Sequence, residues 1–250
     1  PRSSAASDVY KRQAWGASGL AGVWAEENTR DSLFAAMRRK ETFATSGNRM
    51  KVRFFGGYET KDLDLSDGNL IKAAYASSTT MGGEILADGS KVPSFLVWAQ
   101  RDKNGAPLQR VQIIKGTLSN TGGDPSEKIY DVACSNGDAV NPLTNRCPDN
   151  GARVDIETCT FSKNVGSAEL KAIWTDPDFN EKNRSFYYVR VLENPTCRWS
   201  TWDALRNGVK PRKDLHSTIQ ERAWSSPIWY VPTGSNEMPP ASCLLYTSPS

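Results

Sequence analysis

Histidine is nearly missing from this chain: His216 stands alone among 250 residues. A metal centre built from several histidines is thereby excluded within this stretch, and so is a Ser/His pair with a recognisable partner motif. His216 lies in the polar run RKDLHSTIQE and reads as a solvated surface side chain. Long apolar runs are missing too, none approaching the roughly 20 residues of a membrane-spanning helix. Charge of one sign is not in excess: 31 Lys+Arg face 28 Asp+Glu, and no basic block marks a nucleic-acid or anionic-membrane surface. No two cysteines stand in C-x-x-C spacing, which removes the usual zinc-ribbon and dithiol redox signatures.

The two ends are related to each other at the level of codons. Ser7–Gln13 can be written TCA GAT GTG TAT AAG AGA CAG; Cys243–Ser248 can be written TGT CTC TTA TAC ACA TCT, the reverse complement of the core of the first. Unrelated ends of a gene have no reason to be inverted copies, whereas transposase-based library preparation leaves such a sequence. Residues 1–13 and 243–250 are therefore expected to be translated sequencing adaptor, packed against nothing and excluded from fold reasoning. The remainder, 14–242, holds 28 basic and 27 acidic side chains and four cysteines: Cys134, Cys147, Cys159 and Cys197. Two disulfides in an oxidising compartment and four buried thiols are both open readings. Of the three possible connectivities, Cys134 with Cys147 and Cys159 with Cys197 is the expected one. The Gly-, Asn-, Asp- and Pro-rich SNGDAVNPLTNR reads as one loop between the first two, and the second pair would tie two strands.

Residues 14–49 read as one strand, one loop and one helix. GLAGVWA (Gly19–Ala25) is apolar and of strand length, and Asn28 or Thr29 suits an N-cap. Arg30–Lys40 places Leu33, Phe34 and Met37 on one face, with Arg38, Arg39 and Lys40 in the last turn, where cations suit the helix dipole. A unit this small cannot bury a core alone and calls for neighbours that are expected to be missing from this chain. From 50 to 242 the pattern turns strand-like. MKVRFFGGY, PSFLVWAQ, QRVQIIKG, EKIYDVAC, RVDIETCTF, AELKAIWTD and RSFYYVRVLE are rich in β-branched and aromatic residues and are separated by turn formers. Such a series predicts a two-sheet sandwich. DLSDGNLIKAAYAS predicts a short helix or an irregular insert, WDALRNG a helical turn, and SSPIWYVP a last edge strand with proline at its borders.

The densest chemistry is Glu26-Glu27-Asn28-Thr29-Arg30, two carboxylates and a guanidinium between an apolar strand and a helix. Open α/β sheets and barrels build sites at strand carboxyl ends. Carboxylates there can hold a hard cation or act as a general base, and arginine can clamp an oxyanion. Glu26, Glu27 and Arg30 are thus the candidate catalytic residues; a capping cluster paired with Arg38 or Arg39 would use the same side chains structurally. Thr45-Ser46-Gly47-Asn48-Arg49 joins hydroxyls, a glycine turn and a cation, so Thr45, Ser46 and Arg49 form a candidate anion-binding set, or else a domain junction. Asp62-Leu63-Asp64-Leu65-Ser66-Asp67-Gly68 imitates a calcium loop but fails its register. Gly68 is seventh rather than sixth and Ala73 is twelfth in place of an acid. A turn or cap is predicted there, and a turn at Asp176-Pro177-Asp178. Trp199, Trp202, Trp224 and Trp229, with Tyr230, suit either a carbohydrate-binding face or a cap on the core.

Taken together, GLAGVWAEENTRDSLFAAMRRKETFATSGNRMKVRFFGG, VQIIKG, EKIYDVAC, WTDPDF, FYYVRVLENPTCRWSTWDA and IQERAWSSPIWY resemble the C-terminal portion of domain-of-unknown-function family 3604. That group is related to the PHP metallohydrolases, named after polymerase and histidinol phosphatase. The resemblance implies a mixed fold: a PHP-like β/α barrel whose last strand and helix lie in 14–49, then a mainly-β, sandwich-like C-terminal domain in 50–242. It implies a divalent metal held by upstream His and Asp/Glu motifs absent here, with none expected in this piece. Hydrolysis of a small phosphoester or related ester follows from the same likeness, with Glu26, Glu27 and Arg30 as outer members of the site. So does export to the periplasm or beyond. The partners implied are the missing N-terminal barrel of the same chain and the ester substrate, with no nucleic acid and no membrane span. On this reading the piece is inactive alone; the alternative is a ligand- or partner-binding β-sandwich from a non-catalytic parent.

Overall fold

The computed structural model of the chain describes residues 19–118 and 124–233, so both expected adaptor segments lie outside the described residues. The opening unit is β1 (Leu20–Val23), α1 (Arg30–Arg38) and β2 (Thr42–Thr45). Then come β3 (Lys51–Gly57), α2 (Leu70–Ser77), β4 (Thr79–Thr80), β5 (Glu84–Leu86), β6 (Ser94–Gln100), β7 (Leu108–Leu118) and β8 (Ser126–Cys134). After β9 (Val154–Asp155), β10 (Thr160–Phe161) and β11 (Glu169–Thr175) follow β12 (Arg184–Glu193), β13 (Thr196–Cys197) and α3 (Trp199–Arg206). The described chain closes with β14 (Thr218–Ile219), β15 (Arg222–Ser225) and β16 (Ile228–Val231).

Period-two alternation sorts these strands into two sheets around one core. In β12, Ser185, Tyr187, Val189 and Val191 are buried while Phe186, Tyr188 and Arg190 point the other way. The larger sheet has eight strands, with β12 at its centre, β7 and β8 on one side, and a fork on the other. One branch runs through β15 to β2 and β1; the second runs through β16 to β5, which is parallel to it. The smaller sheet is β11-β6-β3-β4. Val52, Phe54, Phe95 and Val97 of the small sheet meet Val111, Ile113, Tyr187, Val189, Ile228 and Tyr230 of the large one in a single buried cluster. Each such side chain taken from water contributes about 1.5–3 kcal/mol, and Phe54 stacks on Phe95 at 5.6 Å. The small sheet's outer face is closed by α2, whose Leu70 and Ala74 pack on Phe55 and Leu96. Among the described residues there is no closed barrel and no helix long and apolar enough to cross a membrane.

Three expectations change. The strand-helix unit at the start does find its neighbour within the chain, because β2 pairs with β15 and so carries β1 into the large sheet. RVDIETCTF is not one strand: β9 and β10 are two-residue strands of a small hairpin, and Cys159 sits between them at φ 53, left-handed backbone that no strand continues through. SSPIWYVP is not an edge strand either, since β16 lies between β12 and β5. Its bordering prolines, Pro227 and Pro232, fall outside the paired residues, so neither removes a ladder donor.

Local signals explain the ends of α1. Thr29 is its N-cap, accepting from Ser32 N at 3.3 Å. At the other end, Lys40 N bonds to Met37 O and Glu41 N to Ala36 O, a Schellman closure that puts Lys40 at φ 59.

Candidate functional site

Glu26, Glu27 and Arg30 lie on the loop between β1 and the first turn of α1, all exposed. The loop is pinned by Glu27 N donating to Ser32 Oγ at 3.2 Å. No ion pair joins these side chains to one another, or to Arg38 or Arg39, among the described residues; Arg39 instead reaches Glu41 at 3.4 Å. The face of α1 beside them is apolar and open: Phe34 is 61% and Met37 55% exposed. With Leu33, Arg30 and Asp31 they line a shallow depression.

Behind this loop is a group that sequence reasoning missed. Trp24, the residue after β1, donates from Nε1 to Val52 O at 2.7 Å, and the Arg53 guanidinium lies 3.7 Å from its ring centroid. Arg53 Nη1 donates to Tyr75 Oη at 2.9 Å, and Tyr75 in turn donates to the buried Glu41 carboxylate. Burial, then the Glu41 carboxylate, push the Tyr75 phenol up to about 12, so it stays a donor. The result is a guanidinium held over an indole, two residues before the candidate loop begins at Glu26.

The Thr45–Arg49 turn is engaged by carboxylates of this chain. Ser46 Oγ donates to Glu221, Arg49 N to Asp102 Oδ2 at 2.9 Å, and Asn48 Nδ2 to Glu193 Oε2 at 2.5 Å. Thr45 Oγ1 donates to Asn48 O at 2.6 Å and accepts from Gly47 N. The Thr45 and Ser46 hydroxyls are thus occupied within the chain, whereas Arg49 is engaged through its backbone N–H and its side chain is exposed. Glu193 is 0% exposed and its Oε1 has no hydrogen-bond partner. Burial first, with Glu221 and Asp102 adding repulsion, raises its carboxyl to about 8 against the opposing Asn48 bond.

Both expected disulfides are present, Cys134–Cys147 and Cys159–Cys197, each with Cα atoms 5.5 Å apart. The first closes the SNGDAVNPLTNR loop onto the large sheet. There the buried Asp131 accepts from Gln112 Nε2 at 2.6 Å and Cys147 N at 2.8 Å. Asp176-Pro177-Asp178 is a turn, as expected, but it also carries a buried network. Lys115, pointing inward from β7, meets Asp176 at 2.5 Å with side chains 5% and 0% exposed. Tyr187 donates to Asp176 at 2.7 Å. Tyr130 donates to Asp178 Oδ2 at 2.5 Å, and that bond chiefly holds the Asp178 carboxyl below its ordinary value.

The other marked residues resolve simply. His216 is exposed. Asp64 accepts from Ser66 N and Asp67 from Asn69 N, both at 2.8 Å, so the calcium-like run is two side-chain-closed turns. The four tryptophans divide between α3 (Trp199, Trp202) and the large sheet (Trp224, Trp229). Among the described residues no group of three or more His, Cys, Asp or Glu is placed to hold a metal. Among those residues no third His, Cys, Asp or Glu joins Glu26 and Glu27.

Against known proteins, a family model described as "Protein of unknown function (DUF3604)" matches residues 2–232. No curated protein and no solved structure matches the chain.

Proposed function

This chain belongs to the DUF3604 family, and from that premise we propose that it is the β-rich C-terminal portion of a PHP-like, metal-dependent hydrolase of phosphoesters or related esters. In that reading it supplies support rather than the metal centre. The observation that carries the reading is the open apolar face of α1 next to an exposed carboxylate loop: Phe34 and Met37 lie uncovered beside Glu26, Glu27 and Arg30. Burying the exposed part of those two side chains against an upstream barrel would contribute roughly 1–2 kcal/mol each and would bring the loop to the barrel's rim. There Arg30 steadies an anionic substrate, while Glu26 and Glu27 bond to groups around the site. The residues present do not fit a catalytic metal by themselves, since such a centre needs three or more preorganised protein ligands. The metal therefore belongs upstream in this proposal. Two disulfides suit a periplasmic or secreted protein.

The test is to load the 250-residue chain with manganese or zinc and assay aryl phosphate monoesters and diesters. No turnover above background is expected. Turnover that disappears in Glu27→Gln would overturn the proposal by placing a complete site in this chain. In a longer chain that carries the barrel, Arg30→Ala should raise KM more than it lowers kcat.

A further inference from the structure

Across the outer face of the large sheet, register sorts two kinds of side chain. Phe186 is opposite Trp229 on β16 and Gly116 on β7; two residues on, Tyr188 is opposite Ile114. The Phe186 ring centroid lies 5.2 Å from that of Trp229 and 6.3 Å from that of Tyr188. Gly116 is required beneath it, because a Cβ there would come within 2.2 Å of the Phe186 ring. One rung further, Arg190 is opposite Trp224 on one side and Gln112 on the other, and Gln112 is opposite Asp131. Trp229 is 37% exposed, and Phe186, Tyr188 and Trp224 are half-buried, so aromatic rings line one half of the face.

The other half is positive. Arg146, Arg190 and Arg222 each lie close enough to Arg110 to act on it electrostatically. Asp131 is the carboxylate among them, reached by Arg146 at 3.5 Å and Arg110 at 3.7 Å. Arg190 spends its Nε on Gln112 at 2.7 Å. Neither Arg190 nor the exposed Arg222 is ion-paired with a described carboxylate. Glu127 lies at the aromatic end, opposite Gly116.

From this pattern we infer that the outer face of the large sheet binds an acidic glycan, a chain of pyranose rings bearing carboxylate or sulfate. Sugar rings offer flat C–H faces that pack on aromatic rings, as on Trp229, Phe186 and Tyr188. Their anionic substituents take the planar donor forks of Arg190 and Arg222. Single-stranded nucleic acid would also match aromatic rings next to arginines. The two disulfides favour the glycan, because they belong to oxidising surroundings outside the cytosol. The inference stands whether or not the chain is joined to a hydrolase.

The test is affinity electrophoresis of the 250-residue chain through gels containing polygalacturonate, dextran sulfate or neutral dextran, with an oligo-dT gel shift alongside. Retention by at least one acidic polymer and not by dextran is expected; the polymer that retains it tells carboxylate from sulfate. Trp229→Ala and Arg222→Gln should each weaken retention about tenfold, the factor carried by one lost stack or charge-assisted bond, in variants whose cooperative unfolding shows them still folded. The inference fails if neither acidic polymer retains the chain, if either variant binds like the parent, or if oligo-dT binds more tightly than both polymers.

Discussion

Replacing Glu193 by glutamine should make the chain more stable at pH 8 and change the pH dependence of its unfolding. The carboxyl is buried at the end of β12, bonded to Asn48 Nδ2 through one oxygen and to nothing through the other. Glu221 and Asp102 face it across the Ser46–Arg49 turn, and the Ala106 N–H and Asn48 favour its charged form only in part. In the unfolded chain the group loses its proton near its ordinary value of 4.5, whereas in the folded chain it does so near 8. Between those limits the folded state holds a proton that the unfolded state has released, so stability falls as pH rises. At about 1.4 kcal/mol per pH unit, the loss from pH 5 to pH 8 is roughly 3–4 kcal/mol. Glutamine does not titrate. The difference in unfolding free energy between Glu193→Gln and the parent, measured by urea denaturation, should therefore move by that amount in favour of the variant between pH 5 and pH 8. Other carboxylates cancel in the difference. A difference that stays constant across the range would refute the reasoning and show Glu193 to be charged in the fold.

Asp176→Asn should destabilise by about 3–5 kcal/mol, because it leaves the Lys115 ammonium buried and unpaired; thermal unfolding checks this, and Lys115→Met with Asp176→Leu should restore most of the loss. Lys40→Gly should stabilise by roughly 0.5–1 kcal/mol, since glycine takes the left-handed position after α1 without strain. Removing Cys134–Cys147 by a double Ser substitution should cost about 3 kcal/mol, and removing Cys159–Cys197 about 4, on the entropy of closing loops of 13 and 38 residues. Equal or negligible losses in denaturant titrations would show that chain entropy is not what the bridges contribute.

The long strands were legible because their alternation is strong: RSFYYVRVLE and PSFLVWAQ became β12 and β6 nearly as written. Thr29 was readable as a cap, and the loop composition pointed to the Cys134–Cys147 pairing. What stayed hidden depends on contacts far apart in sequence. Glu193 became a perturbed carboxyl through Asn48, 145 residues away, and Arg53 met Trp24 across two strands. Lys115 was partly readable, since it continues the Val111, Ile113 phase and so falls on the core face of β7. Its partner Asp176, in a turn with an ordinary look, was not. In RVDIETCTF the β-branched content suggested a strand, but the Cys159 bridge and its left-handed backbone made a hairpin instead. The candidate loop of Glu26, Glu27 and Arg30 was placed correctly between strand and helix, yet spacing alone gave no sign that these side chains would face outward.

Calorimetric titration with manganese and zinc tests whether this chain forms a metal centre of its own. Binding no tighter than about millimolar is expected, the range of sparsely coordinated carboxylates, and unchanged in Glu26→Gln and Glu27→Gln. Stoichiometric binding in the micromolar range that either substitution abolishes would contradict that expectation.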